Sequence, residues 1–151
     1  MKRFFIEYFQ YNDWANEQII NALKSTQSLP PKCLQLISHI ISSQDVWLER
    51  IAGNHDWNIE LWDSYSLIEC SLLSEQSSQK WMNLIRKSRE KDFDNIVSYK
   101  NTKGNSYETL MREIVAHVLN HSSYHRGQIN QLLVDNRLNP APVDYIFYSR
   151  I

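Results

Sequence analysis

Glycine is scarce in this 151-residue chain, which holds only 3, and proline is nearly as rare at 4. That shortage excludes a collagen-like repeat and a Pro/Gly-rich disordered chain. Two cysteines, Cys33 and Cys70, are too few for a disulfide framework. Neither sign of charge dominates: 16 Lys+Arg against 17 Asp+Glu leave a formal net charge of -1. A sequence pI near 6.5 is far from the basic footprint of a nucleic-acid binder, so no nucleic-acid partner is expected. No apolar run reaches the ~18 residues that a bilayer-spanning helix needs. The opening Met-Lys-Arg-Phe-Phe-Ile-Glu meets charge too early for a signal peptide. These absences predict a soluble protein of a reducing compartment, the cytoplasm, with no membrane partner. No repeat, low-complexity tract or long linker divides the chain, and its length suits one domain over residues 1–151.

What the chain does have is helical periodicity. Phe5, Tyr8, Phe9, Ala15, Ile19, Ile20 and Leu23 recur at helical spacing and predict a helix over 2–24. Pro30-Pro31 interrupts it, and Pro31 suits the first turn of a second helix running to Ala52, with Gly53 as its stop. Residues 54–68 read as a loop, and Trp81, Leu84 and Ile85 mark a third helix over 72–90. "IVSYKNTKGNSY" alternates apolar and polar residues around Lys103-Gly104 and predicts a small hairpin. Asn105 or Ser106, with Glu108 following, is expected to cap a fourth helix reaching Asn136. The tail "VDYIFYSRI" suits a last short turn. The expected fold is all-α: a four-helix bundle with a hairpin-like insertion before the last long helix.

The stretch "HVLNHSSYHRGQI" places His117, His121 and His125 four residues apart. Helical residues at that spacing differ by about 40° and about 6 Å along the axis, so each histidine neighbours the next. An i, i+4 pair can grip one ion, whereas His117 and His125, about 12 Å apart along the axis, cannot easily share one. The three fall on or beside the stripe of Ile114, Val118, Ile129 and Leu132, which faces inward. A core tolerates such polar rings only if they are hydrogen-bonded or coordinating. The bland alternative is a set of partly exposed histidines bonded to water or carbonyls. A third ligand has to come from elsewhere: His39, on the flank of the second helix with Leu36, Ser43 and Trp47, or His55 in the loop. Cys33 lies about 240° round the helix from His39 and reads as packing, as does Cys70.

The same stretch resembles the C-terminal motif of the DinB-like family of bacterial helical proteins. "YNDWANEQIINAL" resembles that family's opening helix, "LISHIISSQDVWLERIAG" its second, and "NPAPVDYIFY" its closing segment. The resemblance implies a four-helix bundle binding one divalent metal, zinc or nickel, through His39, His121 and His125. His117 would then lie behind the ligands or be a buried hydrogen-bonding residue. It also implies a homodimer, and an enzyme acting on a small molecule: a transferase or isomerase using a low-molecular-weight thiol, or a metal-dependent hydrolase.

Three histidines with no evident fourth ligand describe an open site of the catalytic kind. Such an ion can lower the pKa of water or of a thiol. Hydrolysis also wants a carboxylate base, and Asp45 and Glu49 fall on the polar face of the second helix. The reading favoured is therefore a thiol-dependent S-transferase, set against a non-catalytic, metal-stabilised binding or stress-response module. Gly127, costly in mid-helix, is expected to admit a neighbouring helix. Arg126 and Gln128 are expected to bond at the surface or between helices, or else to orient a ligand imidazole or meet a substrate carboxylate, and neither is counted as catalytic. Trp14, Trp47 and Tyr124 are expected to pack.

Overall fold

The computed structural model describes residues 1–55 and 57–151. Four long helices carry the fold: α1 (Lys2–Lys24), α2 (Pro31–Ile51), α3 (Leu67–Lys87) and α4 (Met111–Asp135). A 3-10 turn (Glu90–Asp94) and a hairpin, β1 (Ile96–Lys100) with β2 (Ser106–Leu110), connect α3 to α4. A single turn, α5 (Tyr145–Tyr148), closes the chain. None of the described helices is long and apolar enough to cross a membrane.

The first two helices follow the sequence signals. Pro31 opens α2, and Gly53 takes a left-handed φ of 78° just past its end. The other two begin elsewhere than expected. α3 starts five residues before Leu72, inside the expected loop, because Ser66 accepts from the Glu69 amide while the Glu69 carboxylate accepts from the Ser66 amide. It stops at Lys87, short of Glu90, since Ser88 leaves helical geometry. α4 starts at Met111 rather than at Ser106. The Asn105–Glu108 capping pair does not form, because Ser106 to Leu110 pair antiparallel with β1, Tyr99 opposite Tyr107. Tyr99 and Tyr107 stack at 5.9 Å, and the Tyr99 hydroxyl meets Thr109 Oγ1 at 3.3 Å. Gly104, at φ 83°, makes the hairpin turn.

The helices do not pack in chain order. α1 lies against α3 and α4, α2 lies against α4 and α3, and the consecutive pair α1 and α2 sits across the bundle. This diagonal matters for function, because it sets α2 directly beside α4. The core divides into two apolar clusters. One gathers Ile19, Ile37, Ile40, Ile129 and Leu133. The other gathers Phe9, Trp81, Ile85, Phe93 and Val115. Between them runs a buried polar belt: Asn12 and Asn16 from α1, Gln44 from α2, Ser77 from α3, and Ser122 and Arg126 from α4. Gln44 donates to Ser122 Oγ at 3.2 Å and accepts from Ser77 Oγ at 3.3 Å, which ties three helices together. Cys33 and Cys70 are unpaired and buried, as packing residues would be.

Candidate metal centre

Three histidines meet at the level of this belt. His39 projects from α2 and is buried; His121 and His125 project from α4, one turn apart, His125 buried and His121 half-buried. The His39 ring lies 5.1 Å from that of His121 and 4.9 Å from that of His125, and the two α4 rings are 4.4 Å apart. One nitrogen from each comes within 4.8 Å of the other two, a spacing at which the three could hold a metal ion. His121 Nε2 and His125 Nε2 stand 3.1 Å apart. Two nitrogens sharing a tetrahedral zinc at 2.0–2.1 Å would be about 3.3 Å apart, so the pair is close to that geometry.

The protonation of the rings fits a cation. His39 Nδ1 donates to the Leu61 carbonyl at 2.7 Å. A carbonyl can only accept, so Nδ1 holds the proton and Nε2 keeps its lone pair, with Ser43 Oγ 3.5 Å away. His125 Nδ1 lies 2.7 Å from Gln128 Oε1, and donation to that oxygen leaves its Nε2 bare as well. Burial pushes His39 below the ordinary histidine range. His121 is pushed from 6.5 down to about 3, first by burial and then by the neighbouring His125 and His39 rings. Neutral imidazoles crowding their nitrogens together are a poor arrangement alone and a good one around a positive ion.

A loop covers the group. The Trp62 indole stacks on the His39 ring at 3.7 Å with planes 3° apart, and it is itself 50% exposed. Lys32 Nζ sits 5.2 Å from the Trp62 ring centre. Sequence reasoning missed Leu61 and Trp62. The loop signalled only that it was polar and Trp-rich, and a backbone carbonyl leaves no mark on composition. Gln128 has the spacing of a partner for His125: three residues on, on the same face.

The remaining candidates fall outside the group. His55 is exposed in the loop and Cys33 lies in the apolar core. His117 is not buried: it is exposed, with its ring edge-on to Trp47 at 5.2 Å and 5.5 Å from His121, and no hydrogen bond from the described residues holds it. Its outward phase at the α4 surface accounts for the difference. Nothing approaches Gly127, whose added Cβ would meet open space, so the expected close helix contact is absent. Arg126, only 1% exposed, donates from Nη1 to Asn12 and Asn16 at 2.7 and 2.8 Å, an interhelical bond to α1. Tyr124 is exposed, its ring 5.1 Å from His125, and does not pack in the core. Asp45 pairs with Lys80 at 3.3 Å, and Glu49 accepts from Asn54; among the described residues no carboxylate joins the three-histidine group. Clefts of about 370 and 510 Å³ between α1 and α3, and one of about 320 Å³ beside α2, have none of the three histidines in their walls.

The model of the DinB family matches residues 1–151. The chain belongs to the DinB family. A curated relative, Protein DinB of Bacillus subtilis (strain 168), is 28% identical over 170 residues, covering 98% of this chain and 95% of its own. The crystal structure of a DinB-like protein from Bacillus cereus ATCC 10987 superposes with a TM-score of 0.70 at 16% identity. It covers 93% of this chain and 95% of the other, a likeness of fold. A DinB chain with three converging imidazoles is thus compatible with metal binding, and its all-α bundle carries the small hairpin where expected.

Proposed function

We propose that this DinB chain is a metal-dependent enzyme that transfers a low-molecular-weight thiol to a small electrophile. His39, His121 and His125 would hold one divalent ion, zinc or nickel, both of which suit imidazole. The observation that carries the reading is the three-histidine group itself: imidazole nitrogens from two helices within 4.8 Å of one another, with no fourth His, Cys, Asp or Glu joining them among the described residues. A closed structural site would use four. The ion, when bound, supplies positive charge that favours the ionised form of a coordinating thiol. The chain's own part is to favour neutral His39 and His121 by burial, to fix the His39 and His125 rings through Leu61 and Gln128, and to cover His39 with Trp62. In the transfer, the thiol sulfur forms a bond to the electrophilic carbon, the leaving group departs with its electron pair, and the thiol proton passes to solvent.

Hydrolysis is the weaker reading, because no carboxylate among the described residues joins the group to act as base. The cover of Trp62 favours one other reading, a metal-stabilised module without catalysis. Incubating zinc- and nickel-loaded protein with low-molecular-weight bacterial thiols and a chromogenic electrophile separates the two. Thiol-dependent turnover that disappears in His121→Ala supports transfer. Absence of turnover across metals and thiols, with the ion bound, supports the module.

A further inference from the structure

Arg50, in the last turn of α2, is a charged residue without a charged partner among the described residues. It is 7% exposed, and its Nε is buried with no hydrogen-bond acceptor. No salt bridge reaches it among the described residues, and the adjacent Glu49 is engaged by Asn54. Its surroundings are aromatic instead. The guanidinium lies 4.5 Å from the Trp47 ring centre, 5.1 Å from Tyr99 on β1 and 5.7 Å from Trp57 in the loop. Cation–π contacts recover part of the desolvation cost but do not satisfy the in-plane N–H donors of a guanidinium, of which Nε is buried without an acceptor. The box also continues toward the histidines. Trp47 touches His117, and His117 touches His121. α2, α4 and the hairpin meet here, so the hairpin contributes Tyr99 to one wall.

We propose that Arg50, walled by Trp47, Trp57 and Tyr99, receives a planar carboxylate on a small-molecule ligand whose other end reaches the three histidines. The second half of that statement rests on the metal reading; the first does not. A single guanidinium between flat apolar walls matches a flat monoanion, which it grips through two parallel hydrogen bonds. A phosphate dianion would call for more donors than this box holds. His117, exposed and unbonded, lies on the path between the two ends.

The test uses the full-length chain labelled with nitrogen-15. The indole N–H signals of Trp47 and Trp57 are assigned through Trp47→Phe and Trp57→Phe. The protein is titrated with benzoate and with its neutral isostere benzamide, both metal-free and zinc-loaded. Benzoate is expected to move both indole signals in both forms, and benzamide to bind at least about tenfold more weakly, since a charge-assisted pair is lost. Arg50→Met is expected to lose the preference for benzoate, and Arg50→Lys to keep part of it. Equal binding of the two probes by the native chain overturns the proposal, whatever the folding of the variants. So does a benzoate response unchanged in a folded Arg50→Met, and so does an absence of any indole response. Zinc binding without a benzoate response sinks this proposal and spares the metal reading. A benzoate response without zinc binding does the reverse.

Discussion

His39 and His125 each donate from Nδ1 to an oxygen, one a backbone carbonyl of the loop and the other a side-chain amide of α4. Each bond fixes a tautomer and a ring orientation, and each leaves Nε2 unprotonated. Losing such a partner typically costs about 10–100-fold in metal affinity. Gln128→Leu is therefore expected to weaken zinc binding by that order in a calorimetric titration while leaving the helix intact. An unchanged affinity would mean that Gln128 does not orient the ring. The residues of this site differ in how visible they are from sequence. The i, i+4 pair declares itself by spacing. Gln128 is visible only once His125 is taken as a ligand, and Leu61 not at all, because its contribution comes from the main chain.

Helix boundaries show why local patterns succeed or fail. Ser66 and Glu69 have the same spacing as Asn105 and Glu108. The first pair caps a helix and the second does not. Leu67 has no strand to join, whereas Tyr107 and Thr109 find Tyr99 across the hairpin, and Met111 N bonds back to the Asn95 carbonyl at 2.9 Å. Long-range pairing outweighs a local cap, and sequence alone carries no partner list. His39 poses the converse problem. It lies off the strongest stripe of α2, yet α2 touches both α3 and α4, so its buried arc is wide enough to include the flank. Gly127 belongs at this scale too. With open space around its missing Cβ and an ordinary helical position, it only loosens α4. Gly127→Ala is expected to stabilise the chain by about 1 kcal/mol in urea denaturation. A destabilisation would reveal a contact at that face.

Across the whole molecule, the diagonal packing of α1 and α2 is what allows a histidine of α2 to meet two of α4. The polar belt between the two apolar clusters provides the level at which such rings can be buried. Burying neutral histidines has a consequence for the metal-free protein. The unfolded chain takes up protons near pH 6.5, while His121 in the folded chain resists them down to about pH 3 and His39 is shifted in the same direction. The unfolded state therefore binds more protons in that window. This stabilising term is complete above pH 6.5 and is lost progressively as pH falls toward about 3. Chemical denaturation of chelator-treated protein should show stability declining across that range, and much less so in His121→Ala. A flat profile would indicate rings open to solvent. The most direct test of the account is elemental analysis of the purified protein, together with zinc titration of chelator-treated native chain and His121→Ala. One divalent ion per chain, with binding abolished or greatly weakened in the variant, is the result predicted. An absence of bound metal in the native chain, or equal binding by a folded His121→Ala, would contradict it.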